Sequence, residues 1–285
     1  MISKQSKYII NLSKTSEAVK MQFFPSSKEK LLSDDAKNDP LNEDKYKIRN
    51  GLIRKHKNRV LIILTLQCAS YCRFCTRKRC VSNIEKGELT DNDLLDIASY
   101  IEKNTDINEV IISGGDPLTA PKKLLRIYEL LIKIKHINLF RIGTRLPFVS
   151  PEMCDDLLIS VFSNFEKNKK PIYLMLHIEH PDELTEESLN ALAKISPYCT
   201  AMFSQSVFLK KINDNEKILC QLFTKLIACG IKPYYIFHCD NVFGAKHFIV
   251  PIEKERKIMQ SIRKKISGLA CPTYVIDTDK GKILG

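Results

Sequence analysis

Seven short runs rich in β-branched and aromatic residues recur along the chain, at residues 60–66, 110–113, 138–142, 172–176, 200–203, 234–237 and 273–276. Helical patterns fill the gaps between them. Thr90-x-x-Asp93 predicts a capping box that opens a helical face of Leu94, Leu95, Ile97, Ala98 and Ile101. Thr185 predicts a second cap, for a helix with Leu189, Leu192 and Ala193 on one side. Further helices are expected over residues 121–135, 151–164, 214–229 and 252–266. Strands that alternate with helices in this way form βα units and a parallel sheet. Right-handed crossovers leave an open doubly wound sheet or a barrel. No G-x-G-x-x-G follows the first strand, which removes the main support for a dinucleotide-binding sheet. The expectation is an α/β fold, a partial (β/α) barrel of about six units over residues 51–285, with a partly helical N-terminal extension over residues 1–50. In that extension only Leu31, Leu32 and Leu41 hint at periodicity.

Composition narrows the class. The longest apolar run, residues 60–64, is far short of the ~18 residues that a membrane span needs. The N-terminus has no apolar stretch followed by a cleavage site, so a cytoplasmic protein is expected. The net charge of +12 raises the question of a nucleic-acid partner. Of the 45 cations, however, 34 are lysines spread along the whole chain, whereas phosphate readers favour arginine, so nucleic acid is not the expected partner. Ten cysteines in a chain with no export signal predict buried free thiols, and any close cluster among them predicts a metal or catalytic site.

Such a cluster follows the first strand. Cys68, Cys72 and Cys75 form a C-x3-C-x2-C loop. Three thiolates on a short loop can hold three corners of an iron–sulfur cube and leave one iron open. A structural zinc site would ask for a fourth ligand, which Cys80 offers only beyond the basic run Arg77-Lys78-Arg79. With Phe74 before the last cysteine and Ser113-Gly114-Gly115-Asp116 after the second strand, the pattern resembles the radical S-adenosylmethionine superfamily. The resemblance implies a [4Fe-4S] cluster whose open iron chelates S-adenosyl-L-methionine and cleaves it to a 5′-deoxyadenosyl radical. The glycine-rich edge would contact the methionyl amino group, since glycine lets the backbone approach a ligand closely.

The local sequence is more specific. Cys72-Arg-Phe-Cys75-Thr-Arg77-Lys-Arg79 resembles the C-R-H-C-T-R-R-R of the lysine 2,3-aminomutase family. Ordered matches continue through Asp39-Pro-Leu-Asn-Glu43, Arg59-Val-Leu61, Arg141-Ile-Gly-Thr-Arg145, His180-Pro-Asp-Glu183, Gln205-Ser-Val207, Cys239-Asp240, His247-Phe248 and Pro272 to Asp277. The resemblance implies movement of the 2-amino group of lysine to carbon 3, with pyridoxal 5'-phosphate holding that amine. It implies Lys282 as the lysine that takes the pyridoxal phosphate, with Lys280 the alternative. Cofactor contacts fall to Phe74, Ser113, Gly114, Gly115, Asp116, Arg145 and Gln205, with Arg59 on the cofactor phosphate and Lys55 where a second arginine is expected. Arg77 would take the substrate α-carboxylate, and Asp240 with Asp277 the distal ammonium. His177, His180 and His247 are read as supporting residues. A one-electron reductant such as flavodoxin or ferredoxin is the implied partner, with homo-oligomer assembly left open.

Two departures stand out. The segment from Asp277 to Lys282 is shorter than the glycine-rich loop of the family, and the chain stops three residues after Lys282. A compact variant and a shortened chain with impaired pyridoxal phosphate binding both stay open. Residues 240–248 and 252–258 look closer to the branch that makes (R)-β-lysine for translation elongation factor P, whereas Asp277 follows the free-lysine enzymes. A radical S-adenosylmethionine enzyme that modifies RNA without pyridoxal phosphate is the alternative from another class.

Overall fold

The computed structural model describes residues 3–30, 36–81, 88–166, 170–278 and 281–285. It contains one ten-stranded sheet whose strands lie in chain order. Strands β1 (Lys47–Arg49), β2 (Leu52–His56) and β3 (Arg59–Thr65) form an antiparallel meander. From β3 the sheet continues in parallel through β4 (Glu109–Gly114), β5 (Leu139–Thr144), β6 (Ile172–His177), β7 (Ala201–Val207), β8 (Ile231–Phe237) and β9 (Thr273–Thr278). Strand β10 (Gly281–Leu284) turns back antiparallel to β9. Each of the seven expected runs overlaps one of the strands β3 to β9, with Leu66, Asn138 and Thr200 just outside them. Leu31 and Leu32 lie outside the described residues.

Helices α1 (Lys7–Leu12) and α2 (Glu17–Phe23) precede the sheet. Crossovers are made by α3 (Asp91–Lys103), α4 (Pro121–Leu131), the short α5 (Leu146–Val149) with α6 (Asp156–Glu166), α7 (Glu186–Ile195), α8 (Glu216–Ala228) and α9 (Ile252–Ile262). Thr90 and Asp93 close the expected capping box on α3, and Leu94, Ile97, Ala98 and Ile101 are buried. Leu95 is instead 43% exposed, because one residue on a helix turns ~100° away from its neighbour's stripe. Thr185 caps α7 through Ser188 N. The buried face of α7 is Ser188, Ala191, Leu192 and Ile195, and Ala193 points outward. The helix expected over residues 151–164 is a 3-10 turn, Pro151–Met153, followed by α6, which Asp155 opens by accepting from Leu158 N at 3.0 Å.

Alternation along the strands separates two faces. Val60, Ile62, Leu64, Val110, Ile112, Phe140 and Ile142 are fully buried in one core shared with the helices. There Tyr128 of α4 packs on Phe165 of α6 with ring centroids 4.2 Å apart. The opposite phase, including Arg59, Ile63, Ser113, Arg141, His177, Gln205 and Tyr235, is only half-buried and lines the concave side. Charges meet across that side. Burial and then Tyr234 raise the Tyr235 hydroxyl, while Arg141 of β5 and Arg59 of β3 act against them. The curl brings the two ends of the sheet together, since Lys55 Nζ of β2 donates to the Thr278 carbonyl of β9 at 2.7 Å. No β ladder joins the ends among the described residues, so the barrel is partial.

Candidate active site

The loop after β3 carries the three cysteines, and the N-terminal segment holds its backbone. Tyr71 N donates to Lys4 O at 2.9 Å, Arg73 N donates to Gln22 O at 2.8 Å, and Lys4 Nζ reaches the Cys68 carbonyl at 2.9 Å. Cys68 lies within the electrostatic field of both Cys72 and Cys75. Burial raises all three thiols, that of Cys75 to about 11. Desolvated sulfurs of this kind keep their protons unless a cationic partner takes them as thiolates, and iron is such a partner. Among the described residues no three His, Cys, Asp or Glu side chains converge on one metal ion. Three thiols on one short loop can each take a different iron of a cube, so the loop suits a cluster.

Arg145, at the end of β5, is buried and ties this loop to its support. Its Nη1 donates to Cys72 Sγ at 2.9 Å and its Nη2 to Glu183 Oε2 at 2.6 Å, and it also bonds Gln22. Glu183 accepts in turn from the backbone of Glu179 and His180 at 3.0 and 2.9 Å. Phe74 packs edge-on against His177 and Phe248, with centroids 5.9 and 5.8 Å away. It shares a small apolar cluster with Cys239 and Val242, which brings the cysteine loop beside the loop that follows β8. Gln205 pairs with His177 in the adjacent ladder position.

At the end of β4 the backbone comes closest to its neighbours. Gly114 sits at φ 118°, and Gly115 N and Asp116 N donate to Thr65 O and Gln67 O, both at 2.7 Å. Ser113 lies on the concave face beside them. A Cβ on Gly115 would lie 2.1 Å from the Gln67 carbonyl oxygen. Gly115→Ala therefore has to push the cysteine loop away, and a stability loss of about 1–3 kcal/mol is expected in thermal or denaturant unfolding. The Asp116 carboxylate accepts from Leu118 N at 3.1 Å, Thr144 Oγ1 at 2.8 Å and Arg145 N at 2.8 Å. Its oxygens are spent on bracing the ends of β4 and β5.

The second half of the site lies where the two ends of the sheet meet. Lys282 of β10 stands opposite Asp277 of β9, with Nζ 2.8 Å from Asp277 Oδ2 and 5.3 Å from the Phe237 ring centroid. Asp240 follows β8, and its carboxylate has no hydrogen-bond partner among the described residues. Burial first, and Asp277 second, push the Asp240 carboxyl up to about 6. Cations gather on the facing edge. Burial lowers the His56 imidazole, and Arg59, Lys55 and Lys282 lower it further. Arg59 makes no ion pair among the described residues, so this edge offers an unspent guanidinium to a phosphate. Lys280 lies outside the described residues.

Arg77 is largely buried and held by Glu43, with Nε 2.9 Å from Oε2 and Nη2 2.6 Å from Oε1. Sequence reasoning quoted Glu43 and Glu183 only as the ends of matched segments, with no role, and did not find Gln22 or Glu179. The His180-Pro-Asp-Glu183 match is a capping turn. Nor did it find His238, whose Nδ1 lies 2.9 Å from the buried Glu255, itself bonded by the Tyr274 hydroxyl.

The model of the radical SAM superfamily matches residues 62–222. The chain is 35% identical over 274 residues to the L-lysine 2,3-aminomutase of Methanococcus maripaludis, covering 96% of this chain and 62% of that protein. It is 37% identical over 258 residues to the L-lysine 2,3-aminomutase of Buchnera aphidicola, covering 90% of this chain and 74% of that one. For the Bacillus subtilis L-lysine 2,3-aminomutase the identity is 36% over 265 residues, with coverages of 92% and 55%. The chain thus spans about three fifths of the length of several curated relatives that it matches. Among solved structures, a radical SAM methyltransferase from Sphaerobacter thermophilus superposes with a TM-score of 0.56 at 12% identity, over 79% of this chain and 68% of that one. That likeness concerns the fold. The ordered sequence matches, together with the cysteine loop at the end of the first parallel strand, place the chain in the lysine 2,3-aminomutase family of the radical S-adenosylmethionine superfamily.

Proposed function

We propose that this protein moves the 2-amino group of L-lysine to carbon 3, giving β-lysine. The observation that carries the reading is the Asp240 carboxylate, unpartnered among the described residues and desolvated beside the Asp277–Lys282 pair, at the end of a sheet whose other edge presents Arg59. Two acids at one pocket select for a cation, as the distal ammonium of lysine is. Arg77 offers a guanidinium for the carboxylate at the other end of the substrate.

Cys68, Cys72 and Cys75 would hold a [4Fe-4S] cluster, which with S-adenosyl-L-methionine supplies a carbon radical able to take a hydrogen atom. Lys282 would hold pyridoxal 5'-phosphate, which supplies a π system that carries the migrating nitrogen. The chain's own residues position these groups. Arg145 donates to Cys72 Sγ and orients that ligand. Glycines 114 and 115 would let the backbone border the methionyl group, with Ser113, Gln205 and Phe74 on the same side, and Arg59 would face the cofactor phosphate, with Lys55 beside it. Asp277 holds the Lys282 ammonium; with Lys282 taken up by the cofactor, that carboxylate would be free for the substrate amine. A reductant of the flavodoxin or ferredoxin class is the protein partner that this chemistry requires.

The other properties are in keeping. All ten cysteines are unpaired, which suits a reducing compartment, and we take that to be the cytoplasm. No helix among the described residues is long and apolar enough to cross a membrane. Eight of the eleven arginines are in ion pairs with acids of the chain itself, which leaves few guanidiniums for the phosphates of an RNA.

Lys282→Ala tests the assignment. The visible absorbance of bound pyridoxal phosphate is expected to vanish, while S-adenosylmethionine is still cleaved to 5′-deoxyadenosine. Retention of that absorbance in the variant removes Lys282 from the site.

A further inference from the structure

We propose that Glu43 is a positioning residue for Arg77, setting which edge of the guanidinium faces the substrate and so imposing the demand for a carboxylate at its α-carbon. The inference rests on the reading of Arg77 given above and extends it to a residue 34 positions upstream.

A guanidinium presents five N–H donors in a rigid plane. Glu43 takes the Nε–Nη2 edge with both of its oxygens, at 2.9 and 2.6 Å. Nη1 has no protein partner among the described residues, so one bidentate edge is spent and the next is left for a ligand. Both side chains are largely buried, Glu43 at 10% and Arg77 at 20% exposure, so the pair is little screened and the plane cannot rotate freely.

Glu43 is itself held. Asn42, in the left-handed region at φ 51°, turns the chain, and Asp39 Oδ2 accepts from Asp44 N at 2.9 Å. Asp39 and Asp44 then grip Arg79 at 3.1 and 3.2 Å, docking the acidic turn onto the basic run that follows the cysteines. Arg79 Nη2 also lies 4.0 Å from Glu43 Oε2. A second carboxylate arriving at Arg77 therefore meets an anion whose charge is shared with another cation. The Asp39-to-Glu43 motif gains a role in this way: it aims Arg77.

The test measures dissociation constants for L-lysine and L-lysinamide, without reductant, on protein reconstituted with iron and pyridoxal phosphate. Wild type, Glu43→Ala, Glu43→Gln, Glu43→Asp and Arg77→Lys are compared. Wild type is expected to prefer lysine over the amide by at least about tenfold. Glu43→Ala and Glu43→Gln should cut that preference to about threefold or less by weakening lysine alone, and Glu43→Asp should restore part of it. Equal weakening of both ligands, or an unchanged preference in the Glu43 variants, overturns the proposal. If Glu43→Ala fails to load iron, the near-isosteric Glu43→Gln decides. Should Arg77→Lys keep the full preference, the Arg77 reading itself fails. Should Arg77→Lys erase it while the Glu43 variants keep it, the role of Glu43 alone falls.

Discussion

Cys72→Ser is expected to remove bound iron and all turnover, and Cys68→Ser and Cys75→Ser to do the same. The three sulfurs are desolvated, lie in one another's field and sit on a loop whose backbone is tied to Lys4 and Gln22. A hydroxyl in place of any one of them supplies no thiolate to the iron. The thiol of Cys72 also receives the Arg145 Nη1 bond, so its loss leaves a buried guanidinium short of a partner. Cys220 is the control. It lies on α8, away from the loop, and Cys220→Ser should retain iron and activity. Iron per chain, measured after anaerobic reconstitution, reads the difference directly. Full iron in Cys72→Ser would remove that residue from the ligand set.

Asp240→Asn is expected to lower kcat/KM for lysine by about 30- to 5000-fold, the equivalent of the roughly 2–5 kcal/mol typical of a truncated buried charge pair. The same substitution should stabilise the fold. Burial raises the Asp240 carboxyl from its ordinary 3.8 to about 6, so the folded protein holds this proton more tightly than the unfolded chain. A raised carboxyl stabilises the native state below its unfolded value, and that contribution is lost as pH climbs through the folded value. At pH 8 wild type therefore carries a penalty on the order of 3 kcal/mol that Asp240→Asn lacks. The melting temperature of the variant should exceed that of wild type at pH 8, and the gap should close below about pH 4. In the wild-type enzyme KM for lysine should rise as pH falls through about 6, because a protonated Asp240 no longer attracts an ammonium. A melting temperature lowered at pH 8, with kcat/KM intact, would contradict both halves of this expectation.

The parts of this molecule legible in the sequence are those with a local or periodic mark. The alternation of Val60, Ile62 and Leu64 reports a strand that faces helices on one side, and the same phase recurs at Val110, Ile112, Phe140 and Ile142. The cysteine spacing and Gly114-Gly115 are local too, since a short loop and a close backbone approach need those residue types at those positions. Ion pairs between distant segments leave no such mark. Nothing periodic links Glu43 to Arg77, Gln22 to Arg145 or Lys55 to Thr278, because each pair is made by the curl of the sheet and the packing of the N-terminal segment. The departure at Lys55 shows the difference well. In sequence it is a missing arginine, whereas in the fold it also bridges the two ends of an open barrel. Helix faces fall between these cases: Leu95 and Ala193 have the right character but lie one residue off the buried stripe.

The most direct test of the proposed activity is anaerobic incubation of the iron-reconstituted protein with S-adenosylmethionine, pyridoxal phosphate, reductant and L-lysine labelled with nitrogen-15 at the 2-amino group, followed by product analysis. The account predicts β-lysine with the label on carbon 3. Protein with full iron and bound pyridoxal phosphate that cleaves S-adenosylmethionine yet returns lysine unchanged would contradict it.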